Sequence, residues 1–286
     1  MKVLDLFSGI GGFSLGLERA GMRTVAFCEI EPFARSVLRK HWPSVPIFTD
    51  VRALCRRTSM NEPEDEHNYV ECTIHQGQDF GECPCIGTDQ FIDEVGAIDL
   101  VCGGFPCQDI SLIGRRAGLN GASSGLWFEQ LRIINELGPR WVIIENVAAL
   151  VDGGLVEILQ GLDGAGFDAG WFVIPASAIG APHKRERLWI IANARSEGLE
   201  RHTGHVKRNT LATALRSTAS VDLLQGTDAA AWWKSEPGIC RVVDGVPSFV
   251  DRITCLGNAV VPQIPELIGR AIMMQARAAL DKDATE

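Results

Sequence analysis

The chain has 286 residues, is 46% hydrophobic and carries a formal net charge of −9. That length suits one large domain, or a large domain with a smaller companion, and the apolar content supplies a sizeable core. With no N-terminal signal pattern and no apolar run long enough to cross a bilayer, the sequence reads as a soluble cytoplasmic protein without membrane contact, and nine scattered cysteines do not fit a secreted disulfide framework.

Lys2 to Phe7 reads as a short strand that runs into Ser-Gly-Ile-Gly-Gly, and Phe13, Leu15, Leu17 and Ala20 fall on a helix closed by Gly21. Thr24 to Phe27 forms a second strand ending at Cys28, Glu29 and Ile30. Pro32 opens another helix, and a third strand over Pro46 to Phe48 ends at Asp50. This alternation of strand and helix predicts an α/β fold with a doubly wound, mostly parallel, Rossmann-like sheet, whose ligands sit beyond the carboxyl ends of the strands. Gly9, Gly11 and Gly12 let the backbone approach a cofactor, and Glu29 is placed to accept hydrogen bonds from ribose hydroxyls. The spacing is G-x-G-G, not the dinucleotide G-x-G-x-x-G, and Asp5 inside the first strand suits an ammonium group better than a pyrophosphate.

Residues 52–97 read as an insertion. Eleven acidic residues and no Lys or Arg lie between Asn61 and Asp99, so the negative charge is concentrated there and the rest of the chain is close to neutral. Cys72, His75, Cys83 and Cys85 have the residue types and short spacing of a tetrahedral structural zinc site. A metal-free acidic loop is the alternative.

The apolar run Ile98 to Cys102 then delivers the chain into Gly-Gly-Phe-Pro-Cys, with Cys107 at the tip of a stiff turn. Pro106 fixes its own φ and biases Phe105 away from helix, so the thiol is either a displayed nucleophile or a buried core residue. A glycine-rich loop follows, then a helix over Leu126 to Leu137 and a strand from Arg140 that ends in Glu145-Asn146-Val147. Val156 to Leu162 continues a helix, and Trp171 to Ile174 and Leu188 to Ala192 are strands. Arg185 and Arg187 sit two apart at the start of the last of these, where strand alternation would turn both to one face. Seven basic residues against three acidic ones between Lys184 and Arg208 permit a phosphate-binding surface. Residues 194–239 lose the hydrophobic pattern, and Ile264 to Leu280 returns as a helix packed on the sheet.

Taken together, Asp5-Leu-Phe-Ser-Gly-Ile-Gly-Gly-Phe13, Glu29, Asp50, Gly103 to Ser111, Gly125 to Phe128, Glu145-Asn146-Val147, Arg185-Glu186-Arg187 and Gly257-Asn258-Ala259-Val260 stand in the order of a known family. The chain resembles a DNA (cytosine-5) methyltransferase over almost its whole length. The resemblance implies that Cys107 is the nucleophile adding to C6 of cytosine, that Glu145 meets N3, that Arg187 supports the base carbonyl and that Arg185 helps to position it. It implies S-adenosyl-L-methionine as cofactor: Phe7, Gly9, Gly11 and Gly12 line it, Glu29 takes the ribose, Ile30 packs on the adenine and Asp50 meets the adenine amino group. Leu126, Asn258 and Val260 complete the pocket, with Asp5, Val51 and Pro106 assigned to the same site. Double-stranded DNA is the implied substrate, with base flipping, and a monomer the expected state. Residues 1–193 then form the catalytic and cofactor-binding domain, 194–239 a small target-recognition region, and 240–286 a segment returning to the catalytic domain. An RNA cytosine-5 methyltransferase and a catalytically inactive DNA-binding homologue remain as alternatives. His183 stands where the family often has Gln.

Overall fold

The computed structural model describes residues 1–55, 57–59, 70–72, 86–87, 95–106, 125–195 and 249–283. Its centre is a seven-stranded sheet. In chain order the elements are β1 (Lys2–Leu6), α1 (Gly12–Arg19), β2 (Arg23–Cys28), α2 (Pro32–His41) and β3 (Ile47–Phe48). Within the acidic insertion come four short strands, β4 (Leu54–Cys55), β5 (Arg57–Ser59), β6 (Val70–Cys72) and β7 (Ile86–Gly87), which pair as β4 with β7 and β5 with β6, apart from the main sheet. Then follow β8 (Leu100–Gly103), α3 (Leu126–Leu137), β9 (Trp141–Val147), α4 (Leu150–Gly153), α5 (Leu155–Gly164), β10 (Phe167–Pro175), β11 (Glu186–Ala194), α6 (Phe249–Asn258) and α7 (Gln263–Asp283).

The strand order is β10-β11-β9-β8-β1-β2-β3. From β9 to β3 neighbouring strands are parallel, whereas β11 runs antiparallel to both β9 and β10. The central strands are largely apolar on both faces, as a doubly covered sheet requires, with Asp5 of β1 and Thr24 of β2 as buried polar exceptions. On β9, Val142 and Ile144 point into the core under α3 and α5, while Trp141 and Ile143 point into the core under α1 and α7. The same alternation divides Leu188 and Ile190 from Trp189 and Ile191 on β11.

The expected helix over Leu126 to Leu137 has those bounds, with Gly138 in the left-handed region (φ 55°) as its cap. Strand β10 is much longer than its apolar run. It begins at Phe167 because nine residues pair with β11 from Phe167↔Ala194 to Pro175↔Glu186, and the ladder extends through Asp168 and Gly170 that carry no strand signal of their own. Ahead of Pro262 the chain forms α6, a helix to which the sequence reading assigns no element.

Candidate active site

The carboxyl ends of β1, β2, β8 and β9 meet at one edge of the sheet, and a narrow cleft opens there. Phe7, Gly9 and Gly12 line it from the first turn, Gly104 and Glu145 from the centre, and Asn258 and Val260 from the C-terminal segment. Each of these except Gly104 is among the residues expected at a site. Ser8, Ile10, Phe13 and Ala259 complete the lining; the sequence reading assigns them no role at the site, and their place inside the motifs Asp5 to Phe13 and Gly257 to Val260 is the signal that could have found them.

The glycine turn is built by its neighbours. Glu29, almost fully buried, accepts the N–H of Gly9 at 2.6 Å through Oε2 and that of Glu31 at 2.8 Å through Oε1, so it ties the turn to the end of β2. Ser8 Oγ donates to the carbonyl of Asp5 at 2.5 Å. At Gly9 a Cβ would enter open space, which leaves room for a ligand against the backbone. At Gly12 a Cβ would collide with the carbonyl of Val260, so only glycine lets the start of α1 touch the C-terminal segment. Beside Glu29, the side chain of Ile30 is 58% exposed, an uncovered apolar surface next to hydrogen-bonding groups. Its carbonyl accepts from the Arg35 guanidinium, which also donates to the carbonyl of Glu29 at 3.1 Å.

Further along this edge, Asp50 accepts the N–H of Arg52 at 3.0 Å, and its carboxylate pairs with the Arg52 side chain at 2.6 Å, which holds the carboxyl below its ordinary range. Val51 is buried, and its carbonyl accepts from Arg132 of α3 at 3.2 Å. Leu126 packs against the core at the start of α3. Gly11 caps α1 with φ 87°. Like Glu29 and Ile30, Asp50, Val51 and Leu126 are not among the residues that line the cleft holding Gly9 and Glu145.

Asp5 is placed elsewhere. Its position on β1 turns it to the face under α1, where it is fully buried and accepts from Ser14 Oγ at 2.7 Å. Burial pushes its pKa up to about 7 against the opposing hydrogen bond from Ser14, and Cys102 stands beside it. It does not line the cleft.

Glu145 sits at the end of β9, its side chain 12% exposed, with Oε1 3.0 Å from Arg187 Nε. Burial raises its pKa to about 7, although Arg187 and Arg185 both favour the charged form. A carboxyl so poised exchanges a proton near neutrality. Gly104 lies against it: a Cβ there would stand 2.9 Å from Glu145 Oε2. The next residue of β9, Asn146, points the other way and donates through Nδ2 to the carbonyl of Phe105 at 3.1 Å, while Phe105 packs on Trp127 with ring centroids 5.9 Å apart. The segment entering Pro106 is thus held from two sides.

The arginine pair does not share a face by strand alternation. Arg185 precedes β11 and has φ 29°, a conformation uncommon for a side chain of its size, and its guanidinium donates to the carbonyl of Ala259 at 2.9 Å. Arg187 reaches Glu145, whereas Arg185 anchors the C-terminal segment, and burial with the neighbouring Arg187 lowers the pKa of Arg185.

Cys107 lies outside the described residues, as do His75, Cys83 and Cys85. Of Cys72 the structure gives only its place in β6. Among the described residues no group of three or more His, Cys, Asp or Glu could hold a metal ion, so they give the expected zinc no support. Also among the described residues, no helix is long and apolar enough to cross a membrane.

A twisted sheet of this strand order, covered by helices on both faces and with a glycine turn after its first strand, is the Rossmann-like fold of class I methyltransferases. A methyltransferase of Entamoeba histolytica, EhMeth, superposes with a TM-score of 0.57 over 96% of this chain and 98% of that one at 13% identity, which is a likeness of fold. The chain belongs to the C-5 cytosine-specific DNA methylase family, whose pattern matches residues 1–70 and 72–236. It is 32% identical to the type II methyltransferase M2.BsuMI of Bacillus subtilis over 68% of this chain and 42% of that protein. It is 30% identical to M.Eco47II of Escherichia coli over 69% of this chain and 41% of that protein. The chain thus spans about two fifths of the length of these relatives.

Proposed function

We propose that the chain is a DNA (cytosine-5-)-methyltransferase that transfers a methyl group from S-adenosylmethionine to a cytosine flipped out of double-stranded DNA. The observation that carries this reading is Glu145: a carboxyl with a pKa near 7, fixed by Arg187 at 3.0 Å and pressed against the segment that leads from Gly104 toward Cys107. Family membership and the relatives' type II methyltransferase activity support it.

The residues present fit the cofactor. Open space before Gly9, the buried carboxylate of Glu29 and the bare surface of Ile30 suit an aminoacyl chain, a ribose and an adenine in turn. When bound, S-adenosylmethionine supplies an electrophilic methyl group on a sulfonium. In the proposed reaction Cys107, as a thiolate, forms a bond to C6 of the cytosine, and the displaced electron pair at C5 would take the methyl group as its bond to sulfur breaks, with S-adenosylhomocysteine as the leaving group. Glu145 holds its proton at N3 and stabilises the charge developing in the ring, while Arg187 keeps that carboxyl in place and supports the base carbonyl. A base then removes the C5 proton, the electrons reform the ring double bond, and the thiolate leaves. Base flipping costs a few kcal/mol, roughly, before any of these steps. Residues 1–193 and 240–286 form the catalytic body in this reading, and 194–239 addresses the DNA.

Methylation-sensitive sequencing of DNA from cells expressing the chain tests the reading. The expected result is 5-methylcytosine in a defined short context, lost in Cys107→Ser while S-adenosylhomocysteine still binds. Full methylation by Cys107→Ser, or methyl transfer to tRNA but to no DNA, would sink it.

A further inference from the structure

Gln130, in the middle of α3, is fully buried, and among the described residues neither its Nε2 nor its Oε1 has a hydrogen-bond partner. An amide is an unfavourable occupant of an apolar core, because a buried donor and acceptor left unpaired lose their hydration without compensation. Volume does not require it, since Leu or Met fills the same space. Its position suggests a use. Nε2 stands 3.2 Å from where a Cβ on Gly103 would sit, and the carbonyl oxygen of Leu6 is 2.6 Å from the same point. The amide therefore touches the last residue of β8.

The following residue faces the other way. A Cβ on Gly104 would stand 2.9 Å from Glu145 Oε2, so the exit from β8 passes between an unpaired amide on one side and the carboxyl of the cleft on the other. Both residues are glycine, whose peptide planes rotate with little steric resistance. Phe105 beyond them is pinned by Asn146 and Trp127. Gly103 itself is paired with Leu6 and Ile144, so rotation of the peptide joining it to Gly104 is the movement left to this exit, and it would present a main-chain group to Gln130.

We propose that Gln130 is a positioning residue: its amide pairs with the main chain of Gly103 and Gly104 when Glu145 engages the substrate base, and so couples that engagement to the aim of the segment entering Pro106. The inference rests on the methyltransferase reading and adds to it a residue that touches neither cofactor nor base.

The test uses the full chain with Gln130→Met, a near-isostere without the amide, and Gln130→Leu as a second variant. Thermal midpoint is measured together with kcat and the KM for S-adenosylmethionine. If the amide is unpaired until turnover, the midpoint rises, kcat falls roughly tenfold, the rate equivalent of one lost hydrogen bond, and KM stays within about twofold. A midpoint that rises in neither variant overturns the proposal, because the amide is then already satisfied where it stands. A kcat that stays at the wild-type value overturns it as well, because the amide is then idle. If the wild-type chain transfers no methyl group to cytosine, the functional reading falls and takes this inference with it; an active wild type with unaltered variants sinks the inference alone.

Discussion

At the scale of single residues, Glu145 shows how the site balances opposing effects. Burial at the end of β9 favours the neutral acid, Arg187 and Arg185 favour the carboxylate, and the result is a pKa of about 7. A reaction that needs the protonated form loses rate as pH rises through that value, because the acid is then progressively ionised. Because ionisation of Cys107 raises the rate with pH in both proteins, we expect the ratio of wild-type kcat to that of Glu145→Gln, which keeps an N–H donor but cannot titrate, to fall as pH rises through about 7. A ratio that does not change with pH there would contradict the assignment of Glu145 as a proton-holding group. Gly104 is the other residue whose role is decided by contact, since any side chain there would enter the space of the carboxyl.

Between elements, the junction of β1 and α1 carries a similar tension. Asp5 is fully buried, and one carboxyl oxygen accepts from Ser14 of α1, while the other has no hydrogen-bond partner by geometry among the described residues. Its pKa is raised from 3.8 to about 7. The native carboxyl therefore keeps a proton that the unfolded chain has released, so this group's share of stability is fully present below the unfolded pKa and falls as pH rises toward the folded one. Asp5→Asn stays neutral throughout. In urea unfolding at about pH 5 and about pH 8, the stability difference between the two conditions should be smaller in the variant than in the wild type. An unchanged difference would show that Asp5 does not titrate in this window. The motif containing Asp5 is legible as a cofactor turn, yet nothing in it says which side of β1 the carboxyl takes. That is fixed by strand alternation and by the packing of α1. The sequence likewise marks Arg185 and Arg187 as a pair, but Arg185, at positive φ, bonds the carbonyl of Ala259 while Arg187 pairs with Glu145.

Across the whole molecule, the C-terminal segment is as much a part of the site as the first turn. On α7, Ile264, Ile268, Ala271 and Ile272 are buried against Val3, Leu17 and Trp189, and just ahead of them Asn258 and Val260 line the cleft. Removing residues 249–286 should uncover one face of the sheet and abolish binding of S-adenosylhomocysteine. Ile268→Ala, a milder change, should destabilise by about 2–5 kcal/mol as a buried large-to-small substitution. Denaturant unfolding and calorimetric titration read these two effects. A truncated chain that unfolds cooperatively and still binds would show that the face under α7 is not needed.

The sequence by itself determined the order from β1 to β3, the strands β8, β9 and β11 and the helix α3 of the main sheet, the glycine turn and the family. These depend on local periodicity, turn chemistry and the order of motifs along the chain, all of which are written in neighbouring residues. Only the tertiary structure decided that β11 runs antiparallel between β9 and β10, that β10 extends over nine residues, that Asp5 lies under α1 and not in the cleft, and that Gln130 is buried beside Gly103. Those outcomes come from contacts between residues distant in the chain, where backbone pairing and close packing override the preference of any one segment.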